Sequence, residues 1–363
     1  MKKFNIISLL LVSAFVLSSC GKTSDKANNK KEEIAVEDKA IDKKEDKVEE
    51  VKPQNPDQAE GNVILHRSYP RNKGAKSFTR IVVATSQDKI VGLSIDQYQY
   101  ENSTSDLKAV VNSDKDFGKG AVKDKKLVSK MENEKLYSAE MKKSGAKTSL
   151  GENYEAIANF VKGKTIGEVE AFLKDKTDKQ IMEAVGKTDF ESTPYLIKAI
   201  VDSAKDNKFI SVGHAEDPEN LTFKTIIGKG HGDNSFADCL VAMEGDRIVA
   251  ASFDEYQYLE DGLGLSNADD EFAKGYADSK NVLGSKLENS DKYSNLMAEK
   301  AKSKVSIKDN FEAIEKFVSG KTVDEIKDAI ASKKDDGTID SITGATLKDT
   351  ASYLQLIVDA SSK

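Results

Sequence analysis

The chain has 363 residues, 32% of them charged, with a formal net charge of −7 and a mean hydropathy of −0.53. The acidic balance gives no footprint for nucleic-acid binding. After residue 20 no apolar run reaches the roughly 20 residues that a membrane-spanning helix needs.

The N-terminus begins with Lys2 and Lys3, continues through an apolar stretch from Phe4 to Leu17, and ends on Leu17-Ser18-Ser19-Cys20. A positive start, a short apolar segment and small residues before a cleavage point make a secretory signal. Residues 1–20 resemble the lipobox signal peptide of bacterial lipoproteins. That implies cleavage, acylation of Cys20, and an extracytoplasmic protein held to the cell membrane by a lipid anchor. The residues just before Cys20 also resemble tails that some Gram-positive lipoproteins release as peptide pheromones. With Cys20 acylated, Cys239 has no disulfide partner, and its apolar run Cys239-Leu240-Val241-Ala242-Met243 predicts a buried small hydrophobe. Residues 21–60 are dominated by Lys, Glu, Asp, Asn and Gln. They have too little apolar surface to fold and are expected to form a disordered tether, with a reach of about 35 Å from 5–6 Å times √n.

Beyond the tether the chain repeats itself. Phe78 to Ala84, Asp88 to Gly92 and Asp96-Gln97-Tyr98-Gln99-Tyr100 recur as Phe236 to Ala242, Gly245 to Ala250 and Asp254-Glu255-Tyr256-Gln257-Tyr258, an offset of 158 (254 − 96). Asn153 to Ile157 with Gly163-Lys164-Thr165 recur as Asn310 to Ile314 with Gly320-Lys321-Thr322. The period matches a domain and not a solenoid unit, so two homologous units, 61–208 and 209–363, are expected, each with its own core.

Each unit reads as strands followed by helices. Apolar and β-branched runs at 78–84 and 89–95, and at 236–243 and 247–253, flank short turn segments and predict hairpins. Helical spacing follows at 153–161 and 166–173, with counterparts at 310–318 and 323–330. Amphipathic helices over 194–204 and 347–360 close the units. The fold class is α+β, twice over, with an antiparallel sheet and helices in each unit.

The segment Asp340-Ser341-Ile342-Thr343-Gly344-Ala345-Thr346 precedes the last helix. It reads as an extended piece entering a tight glycine turn, with a hydroxyl at the start of a helix. Free N–H groups and the dipole there attract anions such as phosphate. An ordinary capped helix after a turn fits the same residues.

The segment resembles the flavinylation motif of the FMN-binding domain family, Asp-x-x-Ser/Thr-Gly-Ala-Thr/Ser, and matches it completely. The resemblance implies covalent FMN on Thr346 through a phosphoester made by a flavin transferase. Gly344 and Ala345 then admit the phosphate, and Asp340 and Thr343 are recognition positions. The layout of two units, each with Asp-x-Tyr-Gln-Tyr, is similar to flavin lipoproteins of Gram-positive extracellular electron transfer. In the first unit Met182 to Thr188 occupies the equivalent place; Thr188 and Gly186 remain, but the Asp, the Ser/Thr and the Ala are replaced. Thr188 is therefore a second candidate without the context a transferase reads.

Other constellations carry less. His66, His214 and His231 lack metal-ligand spacing, so no metal site is expected. Gly228 to Asp233 is glycine-rich but has no Walker lysine followed by Ser/Thr, and reads as a loop before a strand. Tyr98, Tyr100, Tyr256 and Tyr258 could border a flavin ring, but alternation along a strand also makes them one packed face. The resemblance implies an electron carrier more than a substrate-specific enzyme, with no catalytic acid, base or nucleophile. A membrane quinone-linked reductase is the implied donor, and external metal ions or flavin shuttles the acceptors. The rival readings are a non-redox surface binding lipoprotein and a flavin-dependent extracellular reductase.

Overall fold

The structure, a computed structural model, describes residues 62–71 and 74–363. The signal peptide, Cys20 and the tether lie outside the described residues. The fold is α+β with two antiparallel sheets. The first contains β1 (Val63–Ser68), β2 (Ser77–Ser86), β3 (Lys89–Asn102), β4 (Lys125–Ser129) and β5 (Ile210–Gly213), in the order β4-β3-β2-β1-β5. The second contains β6 (Thr222–Gly228), β7 (Ser235–Glu244), β8 (Arg247–Glu260) and β9 (Asn281–Ser285), in chain order.

Both expected hairpins form, β2 with β3 and β7 with β8. Their two-residue turns start at Gln87 and Gly245 with φ of +55° and +60°, a backbone that suits the right-handed twist of paired strands. Even the irregularities repeat, because the register shifts after Ala84 in one hairpin and after Ala242 in the other.

The helices of the first repeat are α1 (Glu134–Lys143), α2 (Leu150–Val161), α3 (Ile166–Lys174), α4 (Asp178–Val185) and α5 (Thr193–Lys205). Those of the second are α6 (Ser290–Ala301), α7 (Ile307–Val318), α8 (Val323–Ala331) and α9 (Thr350–Ser361). Capping boxes fix the starts of α2 (Ser149 with Glu152), α3 (Thr165 with Glu168) and α8 (Thr322 with Glu325). Each box satisfies two backbone donors that the first turn leaves unpaired.

Successive strand residues point to opposite faces, and here both faces are buried. Ile81, Val83 and Ile95 pack under α2 and α5, while Cys239, Val241 and Phe253 pack under α7 and α9. The alternate residues face the other sheet: Leu65, Val82 and Ala84 meet Leu240, Ala242 and Val249, and Phe78 and Tyr98 meet Phe236 and Tyr256. The layers therefore run helices, sheet, sheet, helices. Strand β5 begins just past residue 208, yet it pairs with β1 in the first sheet. The two repeats form one compact unit. A core proper to each repeat exists only on the helical side of its sheet. Exposing a large apolar side chain costs roughly 1.5–3 kcal/mol, and domains are stable by only about 5–15 kcal/mol, so neither half could leave its inner face open.

The contact between sheets is reciprocal. Asn112 Nδ2 donates to the carbonyls of Gly232 and Ser235, and Asn267 Nδ2 donates to those of Gly74 and Ser77. The Val122 amide donates to Gly275, and the Ala277 amide to Gly120. Those glycines are required: a Cβ on Gly120 would lie 2.2 Å from the Tyr258 ring, and one on Gly275 2.0 Å from the Tyr100 ring. The Tyr100 and Tyr258 hydroxyls, 158 residues apart, meet at 2.6 Å. Such i-to-j and j-to-i pairing is the pattern of a two-fold dimer interface, here within one chain.

One position breaks the symmetry. Arg80 and Asp238 are repeat counterparts, and they pair with each other at 2.8 Å, while Arg67 reaches Asp238 at 2.6 Å. All three are buried. Burial pushes the Asp238 carboxyl up, but the two guanidinia outweigh it and hold the group below the usual carboxylate range.

Candidate functional site

The motif is pinned at three points. Ile339 and Ile342 are buried in the core of the second repeat. Gly344 turns the chain at φ +97°, a conformation costly for any residue with a Cβ, and an added Cβ would also press on Ala313 at 3.2 Å. Thr346 is held by Asn310 of α7: its amide donates to Asn310 Oδ1 at 2.6 Å and its hydroxyl to the same oxygen at 3.3 Å. Asn310 is fully buried, and its Nδ2 donates to the Val305 and Ser306 carbonyls. Ala345 packs against the core. Asp340 and Thr343 are exposed, and Asp340 pairs with Lys334 at 2.5 Å.

One expectation is corrected. Helix α9 starts at Thr350 with Asp349 as its N-cap, so Thr346 does not cap it. Asp349 instead takes the cap position and bonds His231 at 2.6 Å, leaving Leu347 and Lys348 as a turn. The exposed Thr346 hydroxyl stands just ahead of the helix and not at its first free amides.

Thr346 lines a cavity of about 710 Å³, within the usual range for small-molecule sites. Its walls include Tyr293, Met297, Val305, Ile307 and Leu347, and five lysines surround it: Lys286, Lys300, Lys302, Lys304 and Lys348. Among the described residues Asp349 is the one carboxylate in the lining. Lys300, Lys302, Lys304 and Lys348 are exposed and have no ion-pair partner among the described residues. Gln257 Oε1 is buried at the wall with no hydrogen-bond partner there. An anionic ligand that also has a flat apolar part and an N–H donor fits these groups. FMN has all three features.

At the floor, Lys286 Nζ pairs with Glu255 Oε1 at 2.9 Å, and both side chains are buried. Tyr353 donates to the other oxygen of Glu255. The Lys286 ammonium also lies 4.4 Å from the centroid of the Tyr293 ring. Burial works against its charge, but Glu255 outweighs that and holds the ammonium above the usual lysine range.

The first repeat treats the same place differently. The Thr188 hydroxyl donates to Asn153 Oδ1 at 2.7 Å, shares a bond with Thr193 at 2.9 Å, and accepts from the Phe190 amide. Asp189, where the second repeat has Leu347, bonds the Lys147 amide at 2.5 Å and the Thr148 hydroxyl. A carboxylate thus stands beside a hydroxyl whose bonding capacity is taken. The equivalent of the motif's start is helical in the first repeat, since α4 runs to Val185, whereas Asp340 to Gly344 forms turns and not the extended piece expected there. A larger cavity, about 840 Å³, lies between α3, α4 and α5. It mixes Lys174 and Lys198 with Glu170 and Asp202, and Thr188 does not line it.

The remaining sequence candidates fall as follows. His66 is buried, bonds Thr85 at 3.0 Å, and is pushed down by burial. His214 is exposed. Among the described residues no group of His, Cys, Asp or Glu is placed to hold a metal, and no helix is long and apolar enough to cross a membrane. Cys239 is fully buried and burial raises its thiol. Tyr98 and Tyr256 lie between the sheets, while Gln257 points the other way, into the cavity. The glycine-rich loop after β6 contributes His231 and Asn234 to the lining. Sequence reading missed Asn310, although an asparagine recurring on an apolar helix face at 153 and 310 was its signal. Comparison of the chain with protein-family models, curated proteins and solved structures found no match.

Proposed function

We propose that this chain is an extracytoplasmic flavoprotein of the FMN-binding domain type, anchored at the cell membrane through Cys20 and carrying FMN as a phosphoester on Thr346. The observation that carries this reading is an exposed Thr346, on a motif of matching sequence, at the edge of a cavity with apolar walls and lysines that have no ion-pair partner among the described residues. Asn310 holds the threonine, the lysines neutralise phosphate, and the wall around Tyr293 and Leu347 excludes water from the ring. FMN supplies one- and two-electron redox chemistry when bound, and the protein supplies attachment and electrostatics. A covalent link keeps the cofactor on a protein outside the cell, where a dissociated one would diffuse away.

The role is electron relay, from a membrane quinone-linked reductase to external metal ions or flavin shuttles, after modification by a flavin transferase. The test is the intact mass of the chain coexpressed with such a transferase. The native chain and Thr188→Ala gain one FMN less one water, and Thr346→Ala gains nothing. If the native chain gains no mass while a control protein is modified, the reading fails and a non-redox binding lipoprotein replaces it. Turnover confined to one acceptor would make the protein a reductase.

A further inference from the structure

The buried group facing the cavity at its floor is Lys286. Its counterpart in the first repeat is Lys130, and the two environments differ in the residue each lysine meets and in what fastens that residue. Lys130 Nζ donates to Gln97 Oε1 at 3.0 Å and lies 5.0 Å over Tyr137. Lys286 has Glu255 in place of the amide and lies over Tyr293. Tyr353 fastens Glu255 from the far side, whereas its counterpart Tyr195 lines the outer cavity beside α3. Lys286 carries three N–H donors, with Glu255 beside the ammonium at 2.9 Å and the Tyr293 ring centroid 4.4 Å from it. Replacing a buried ion pair with apolar residues is often neutral for stability, so stability alone does not explain Glu255, Lys286 and Tyr353 being assembled at one cavity and not at the other.

Resting on the function proposed above, we propose that Lys286 is a positioning residue. Fixed by Glu255 and Tyr353, it sets a permanent cation against the flavin on Thr346 and favours the reduced, negatively charged form. Reduction adds two electrons, from dithionite in the test or from the quinone-linked donor in the proposed role. One proton from solvent forms a ring N–H bond, and one negative charge is left on the ring. Lys286 opposes that charge without gaining or losing a proton.

The experiment measures loading by intact mass, then the reduction potential of bound FMN by dithionite titration against reference dyes. The chains are the native one, Lys286→Met, Lys286→Arg and Glu255→Gln. All four load one FMN. Lys286→Met lowers the equilibrium constant for two-electron reduction at least tenfold, about 30 mV, and Lys286→Arg keeps the native value. Glu255→Gln installs the pairing of the first repeat, where burial pushes Lys130 down to about 8, so its potential falls below native at pH 9 more than at pH 7. A loaded Lys286→Met with the native potential overturns the inference and leaves the proposed function standing. Should Lys286→Met fail to fold or load, a native potential at pH 9 in Glu255→Gln overturns it. A native chain that takes up no FMN overturns both.

Discussion

The two repeats share four strands, their bulges, the capping box of α3 and α8, and an asparagine beneath the last threonine of the motif region, yet only the second opens a basic cavity there. The differences are few. Asp189 ties its loop down where Leu347 leaves space, α4 winds up the segment that is a turn in the second repeat, and Gln97 stands where Glu255 fixes a buried cation. A duplicated scaffold thus keeps its backbone geometry while a handful of side chains decide whether a site exists.

The largest effect is expected where the halves meet. Asp238→Ala leaves Arg67 and Arg80 buried without their counter-ion, and losing one partner of such a pair costs about 3–5 kcal/mol. Urea titration should show a lower midpoint at unchanged slope. A changed slope would mean that the sheets had come apart as separate units.

Next comes the contrast between the buried lysines. Burial lowers Lys130 from 10.5 to about 8, so between those values the unfolded chain binds more protons and stability rises with pH. Lys130→Met should therefore stabilise at pH 7, by no more than about 3.4 kcal/mol at 1.36 kcal/mol per pKa unit, with the gain vanishing near pH 10.5. Lys286 is held above its usual range, so its contribution is fully present below about pH 10.5 and is lost only above that. Urea midpoints at pH 7 and 9.5 distinguish the two.

Asn153→Ala and Asn310→Ala should each cost roughly 1–3 kcal/mol, since each leaves buried partners unsatisfied. Only Asn310→Ala should lower FMN incorporation by mass; an equal loss in both would move the attachment question to Thr188. The smallest effect on folding belongs to Asp340→Asn, which breaks an exposed pair worth about 0–1 kcal/mol. Its melting curve should overlay the native one while incorporation falls, the signature of a residue read by the transferase.

Much of the scaffold was legible because residues such as Phe78 to Ala84 and Asp96 to Tyr100 recur almost unchanged. Their continuous apolar runs also carried an unused signal, since strands buried on both faces lose strict alternation. The strands β1, β4, β5, β6 and β9 lie in less patterned sequence and carry no comparable signal. The glycine turn of the motif is legible, but the piece before it is a turn and not extended, and nothing in the sequence says that Asp349 and not Thr346 takes the cap. The cavity could not be read at all: Lys286, His231 and Lys304 come from three separate segments, and only folding brings them together.

The Arg80–Asp238 pair has one more consequence. The interface carries the symmetry of a homodimer, yet two copies of the second half would set aspartate against aspartate, and two copies of the first would set arginine against arginine. Like charges buried face to face reject the wrong partner. Each half is therefore matched to the other and unsuited to a copy of itself, which disfavours the pairing of like halves from two chains.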